Sequence, residues 1–279
     1  MTPYIKILRP GNCILACIGV IVGALIAKGN GVLDIGNIPS MALACAVVFL
    51  STAGGNVLND YTDRDVDKIN HPERPIPSGK IRPESAKMYA VALFALAFPP
   101  ALLSTYWYTL TAILCIAILL MLAYEFKYKA EGLPGNVIIS VLSAMVFVFG
   151  GCAAGNPVLT IPFAIISFFG SLYREIVKDI EDVEGDFTRC TLPKKVGKKN
   201  AGYIALAVLG MAILLSPLPL LLPDFMFWPK TLYAIGIALS DIVFIYSALF
   251  TLKQPTKSQK LAKHGMLIAT LAFLIIGIR

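Results

Sequence analysis

The sequence predicts an all-α integral membrane protein of nine transmembrane helices, on three observations. Of its 279 residues, 57% are apolar and only 15% are charged. The mean hydropathy is +0.75, and the apolar residues form runs long enough to cross a hydrocarbon core of roughly 30 Å. An aqueous globule of this length needs more surface charge than 24 Lys+Arg and 17 Asp+Glu supply. Residues 1–279 are read as a single transmembrane domain.

The spanning runs fall at about 12–28, 38–58, 85–104, 106–124, 137–155, 158–177, 201–222, 229–251 and 262–278. The first follows Lys6 and Arg9 and is read as a retained span rather than a signal peptide. Pro99, Pro100, Pro157, Pro162, Pro217 and Pro219 mark kinks or ends. Gly151 and Gly155 form a GxxxG read as helix packing. Cys13, Cys17, Cys45, Cys115, Cys152 and Cys190 contain no CxxC pair and read as small hydrophobes. His71 and His264 read as solvated.

Charge fixes the expected topology. With the N-terminus and the loops after the even-numbered spans on one side, every Lys and Arg except Lys28, Lys230 and Arg279 falls there. By the positive-inside rule that side is cytoplasmic, which leaves the C-terminus outside and the polar loops on the cytoplasmic face of the cell membrane.

The stretch 56–79 holds the first chemical signal. At about 100° per residue, Asn56, Asn59, Asp60, Asp63 and Asp67 share one helical face, and Asp65 points away. After the sixth span, Asp179, Asp182 and Asp186 repeat the i, i+3, i+7 spacing of Asp60, Asp63 and Asp67. Ordinary solvated loop charge is the plainer reading. Like charges on one face repel, however, unless a cation or a basic partner sits among them, and a divalent cation is the natural partner. Hard oxygen ligands suit Mg²⁺, which uses a few carboxylates together with substrate phosphates. Two acidic faces interleaved with Arg and Lys therefore describe a diphosphate held through Mg²⁺.

At these residues the chain resembles the UbiA-type intramembrane prenyltransferases. Asn59-Asp60-x-x-Asp63-x-x-x-Asp67 is similar to the first motif of that family, and Asp182-x-x-x-Asp186, with Asp179 before it, to the second. The resemblance implies a helical bundle around a central cavity, capped by cytoplasmic loops. It also implies that Asn59, Asp60, Asp63, Asp67, Asp179, Asp182 and Asp186 hold Mg²⁺ and prenyl diphosphate. Arg9-Pro10-x-Asn12 resembles the start of the family's first helix, with Asn12 facing the cavity, and Asn56 joins it as a substrate residue. Arg74-Pro75 and Pro77-Ser78-Gly79 resemble the segment after the first motif. Tyr124 with Lys127 or Lys129 resembles a tyrosine-lysine loop that contacts diphosphate, except that Glu125 replaces the usual serine.

Asp63, Asp67, Asp182, Asp186 and Tyr124 are thus the catalytic candidates. Arg64, Lys68, Arg74, Lys127 and Lys129 are candidate phosphate partners, since each lies on the cytoplasmic side near a motif. Tyr124 and Tyr173 are the aromatic faces placed to shield an allylic cation, whereas Phe147, Phe149, Phe168 and Phe169 read as packing. Asp241, inside the eighth span, is read as a functional polar group, a protonated acid or a helix-pairing hydrogen bond. The second motif is most similar to the family's archaeal ether-lipid branch, which adds a geranylgeranyl chain to the glycerol hydroxyl of geranylgeranylglyceryl phosphate. The expected partners are a prenyl diphosphate, a lipid-like phosphate acceptor and membrane lipid, with no nucleic acid and no obligate protein partner. An aromatic acceptor is the alternative within the fold. A cation transporter is the alternative outside it, disfavoured because transport carboxylates sit near the bilayer midplane rather than at span ends.

Overall fold

The computed structural model describes residues 2–183 and 190–278. Among them are nine helices long and apolar enough to cross a membrane. Their helical parts are α1 (Pro10–Lys28), α2 (Ile38–Thr62), α3 (Pro83–Leu96), α4 (Trp107–Phe126), α5 (Leu133–Ala153), α6 (Ile161–Asp182), α7 (Lys198–Leu215), α8 (Phe227–Ala248) and α9 (Pro255–Gly277). Proline opens several of them, with Pro10, Pro83 and Pro255 at the first helical position, where a missing N–H costs nothing. The third span breaks at Ala97 and resumes as the short helix Phe98–Leu102, whose Pro99 and Pro100 cannot continue the preceding hydrogen-bond ladder. The ninth helix begins well before the apolar run at 262, because its first turns carry Lys257, Lys260 and Lys263.

The bundle centres on a close crossing of α1 and α5. Gly19 and Gly23 of α1 meet Val146 and Phe147, and Gly150 of α5 meets the Val20 carbonyl oxygen. A methyl group at Gly23 or Gly150 would collide with backbone, which cannot move aside as a side chain does. The predicted packing pair differs: Gly151 packs on Pro157 and Thr160, and Gly155 sits in the turn after α5 at φ 88°. Gly150→Ala is expected to destabilise the protein by about 1–3 kcal/mol through overpacking. Gly210→Ala, which meets nothing within 4 Å, is expected to leave the unfolding temperature in detergent unchanged.

Outward faces carry exposed Leu15, Ile116, Leu119, Leu214, Ile242 and Leu267, as lipid contact requires. At the end opposite the acidic motifs, Trp107, Tyr108, Phe227 and Trp228 are exposed where α4 and α8 begin, forming an interfacial aromatic belt. Asp241 accepts a hydrogen bond from Ser216 Oγ at 2.7 Å, so α8 is tied to the end of α7 by the helix-pairing bond among the sequence alternatives. All six cysteines are free.

Candidate active site

Sequence places the first motif on one helix face, but α2 ends at Thr62. Asp63 forms the joint to the short helix Arg64–Asn70. The Thr62 hydroxyl bonds back to the Asn59 carbonyl at 3.0 Å, and Asp is favoured at such a helix start. The i to i−4 rhythm nevertheless survives the joint: Asp63 N–H reaches Asn59 O at 2.9 Å and Asp67 N–H reaches Asp63 O at 2.8 Å. Asp60, Asp63 and Asp67 therefore stay near one another, while Asp65 is exposed on the far side. The Asp65 carboxyl is held below its ordinary range by a hydrogen bond from Lys68.

Three cations from three parts of the chain close on this cluster. Arg9 forms an ion pair with Asp60 and donates to Asn59 Oδ1 at 3.3 Å. Arg74 lies 2.6 Å from Asp67 and 3.7 Å from Asp60. Lys129 Nζ bridges Asp63 at 2.8 Å and Glu125 at 2.7 Å. Arg9 adopts a left-handed backbone (φ 50°, ψ 65°), unusual for a residue with a side chain and more so before a proline. Its contacts with α2, together with Asn56 donating to Leu8 O at 2.8 Å, hold that conformation in place.

Glu125 is the residue sequence reasoning undervalued. Its side chain is 5% exposed, and it accepts from Asn59 at 2.9 Å, Thr62 at 2.6 Å and Lys129. The signal was legible as an i, i+4 Glu–Lys pair at the end of α4. Asp60, Asp63, Asp67 and Glu125 against Arg9, Arg74 and Lys129 leave one formal negative charge among these seven groups. That is an arrangement a divalent cation can complete.

The structure separates the two candidate lysines. Lys129 lies 5.7 Å from the Tyr124 ring, within the cluster, whereas Lys127 is exposed over Tyr128. Arg64 packs on the Tyr61 ring and Lys68 on Asp65, both toward the surface rather than among Asp60, Asp63 and Asp67. Tyr173 is not brought to the cluster. It is fully buried, with its hydroxyl 3.0 Å from each of Ser247, Thr251 and Ser258, so it fastens α6 to α8 and α9.

The second acidic face lies on the last turns of α6. Asp179 accepts from Asn136 at 2.8 Å, which ties it to the first turn of α5, and Asp182 is exposed. Asp186 lies outside the described residues. The α4–α5 loop links the two faces, since Gly135 packs on Tyr128 and Tyr124 while Ala130 accepts from Cys190 N at 3.0 Å.

An apolar cavity of about 340 Å³ lies between α1, α2, α4 and α5. Asn12 and Asn56 line it, followed by Thr52, Ser51, Met121, Val47 and Phe149. Asn56 stands one turn from Asn59 and Asp60 on α2, so the amide end of the cavity adjoins the acid cluster while the rest of its lining is mostly hydrocarbon. It is shaped for an anionic head carrying an apolar tail.

A model of the UbiA prenyltransferase family matches residues 16–272. The chain belongs to this family. It is therefore a prenyltransferase and a multi-pass membrane protein. Among relatives of this UbiA chain, digeranylgeranylglyceryl phosphate synthase of Methanothermobacter thermautotrophicus is 39% identical over 98% of this chain and 95% of its own length. A solved structure whose description concerns digeranylgeranylglyceryl phosphate synthase in membranes superposes with a TM-score of 0.81. It is 39% identical and covers 99% of this chain and 98% of that one. A UbiA homolog from Archaeoglobus fulgidus bound to GPP and Mg²⁺ shares the fold at a TM-score of 0.65 and 18% identity, covering 99% of this chain and 100% of that one.

Among the described residues no three His, Cys, Asp or Glu side chains converge to cage a metal. Mg²⁺ typically takes one or two carboxylates and completes its shell with water and substrate phosphate. Were Mg²⁺ bound, Asn59, Asp63 and Asp67 on one face and Asp179 and Asp182 on the other would be the hard-oxygen donors for it. Asp60, 2% exposed and engaged by both Arg9 and Arg74, is their counter-ion and is the least open of the predicted ligands.

Proposed function

We propose that this protein transfers a geranylgeranyl group from geranylgeranyl diphosphate to the glycerol hydroxyl of geranylgeranylglyceryl phosphate, releasing diphosphate, in archaeal ether-lipid synthesis. The observation that carries this reading is an apolar cavity between α1, α2, α4 and α5 whose amide end, at Asn56 and Asn12, stands one helical turn of α2 from the charged cluster of Asp60, Asp63 and Lys129. It matches a prenyl diphosphate in both polarity and order. The acceptor follows the relatives' names, and no observation favours an aromatic acceptor.

In this mechanism Lys129, and Arg74 or Arg9 where the substrate draws them from their carboxylates, neutralise the diphosphate oxygens. Asn59, Asp63, Asp67, Asp179, Asp182 and Asp186 would hold Mg²⁺, which when bound would add Lewis-acid neutralisation of the same oxygens. As the C1–O bond breaks, its electron pair stays on the diphosphate and the allylic carbon becomes electron-poor. Fixed charges facing the leaving group lower this barrier by several kcal/mol in a water-poor site. Tyr124, held beneath Lys129, presents its ring to the cation. The apolar lining around Met121 and Phe149 keeps the chain extended and excludes water. The acceptor oxygen then bonds to C1, and its proton passes to solvent. The acidic motifs and the loops that carry them face the cytoplasm, with the N-terminus inside and the C-terminus outside, by the positive-inside rule. Residues 1–279 act as one catalytic domain.

The test is a product assay with purified protein, labelled geranylgeranyl diphosphate and a panel of glycerol-phosphate and aromatic acceptors. Product is expected only with the glycerol phosphate, is expected to vanish on chelation with EDTA, and is expected to return with Mg²⁺. Product confined to an aromatic acceptor, or undiminished in EDTA, would overturn the reading.

A further inference from the structure

A second group of cations lies on α6 and α9, away from Arg9, Arg74 and Lys129. Arg174 and Lys178 are one turn apart on α6, and both address the buried Glu175, at 2.6 Å and 3.8 Å. Lys263 of α9 stands within electrostatic reach of Arg174, Lys178, Glu175 and Glu181. Among the described residues it makes no ion pair within 4.0 Å. Glu181 accepts from Gln259, one turn from Lys263, at 3.2 Å. Three cations therefore face two carboxylates, and Arg174 Nε is buried with no hydrogen-bond partner. An unmatched buried donor on a guanidinium is destabilising unless a ligand takes it.

Arg174 and Lys263 are carried on helices rather than on loops. Arg174 lies eight residues before the end of α6 at Asp182, and Lys263 eight residues after the start of α9 at Pro255. That is roughly 12 Å along each axis, so helical backbone rather than a loop fixes where each cation stands. The scaffold is firm, because the Tyr173 hydroxyl binds Ser247, Thr251 and Ser258 directly behind it. On α6 the group flanks Glu175 and Asp182, which share the face of Asp179.

The geometry points to a second anion site, in which Arg174, Lys178 and Lys263 take the phosphomonoester of the acceptor, separate from the cluster that takes the donor's diphosphate. This rests on the reading that the acceptor is a glycerol phosphate. The alternative source of phosphate oxygens is the donor itself, and the two predict opposite kinetics.

Full-length Lys263→Gln, an exposed position that folding tolerates, is compared with wild type on geranylgeranylglyceryl phosphate and on its dephosphorylated alcohol. The KM for the phosphorylated acceptor is expected to rise about tenfold or more. The KM for geranylgeranyl diphosphate and turnover of the alcohol are expected to stay unchanged, with Lys263→Arg restoring the wild-type value. Arg174→Lys is expected to give the same split. An unchanged acceptor KM, a parallel rise in donor KM, or an equal loss with the alcohol overturns the site. Wild-type inactivity on geranylgeranylglyceryl phosphate instead overturns the proposed function. In that event thermophoretic binding of the same phospholipid decides the site: weaker binding by Lys263→Gln supports it, and equal or absent binding overturns it.

Discussion

Asp63→Asn is expected to slow diphosphate release by about 10²–10³-fold, the usual effect of deleting one preorganised electrostatic group, while the protein still folds. Asp63 is the most open carboxylate of the first cluster, with a side chain 16% exposed against 3% for Asp60 and 5% for Asp67. Asparagine keeps its volume and its place at the joint between α2 and the helix Arg64–Asn70. Lys129 remains paired with Glu125, so no buried cation is stranded. Asp67→Asn should behave differently. Its carboxylate is buried against Arg74, so part of its effect should fall on the unfolding temperature. Single-turnover release of labelled diphosphate, with thermal unfolding in detergent as the control, separates the two. Asp63→Asn retaining activity within about threefold of wild type would remove this residue from the mechanism.

Lys129→Gln is expected to raise the KM for the prenyl diphosphate about 10–100-fold, the range for a charge-assisted hydrogen bond, and Lys127→Gln to change it by less than about twofold. Both lysines follow Tyr124 in the same loop, but only Lys129 enters the cluster, 2.8 Å from Asp63. Lys127 lies over the Tyr128 ring in solvent. Part of the Lys129 effect should appear as lost stability, because Glu125 and Asp63 would then share a buried space without their cation. A comparable KM increase in both variants would show that general basicity of the loop, rather than the Lys129 bridge, recruits the donor.

Much of this protein is legible without coordinates. Spans, polar loops and the two aspartate spacings follow from local sequence, because a membrane helix must satisfy its own backbone and reveals itself by length and hydropathy. The first motif shows where local reasoning stops. Its period suggests one continuous helix face, whereas the helix is interrupted at Asp63, just after the Thr62 hydroxyl bonds back to the Asn59 carbonyl. Tyr173 fits an aromatic shield by its position in sequence, yet its hydroxyl lies in the α6–α8–α9 joint. The i, i+4 pairing of Glu125 and Lys129 was readable, but Asn59 and Thr62 reach Glu125 from another helix.

What the sequence by itself determined is the membrane fold, the expected polar face and the spacing of the carboxylates proposed for the chemistry, all properties of neighbouring residues or of composition. What only the tertiary structure decided is which charges meet. Arg9, Arg74 and Lys129 close on Asp60, Asp67 and Asp63, while Arg64, Lys68 and Lys127 remain at the surface. A Lys or Arg looks the same in sequence whether it anchors a loop in water or neutralises a buried carboxylate. Its role is set by desolvation and by partners distant in the chain, and both arise only when the helices pack.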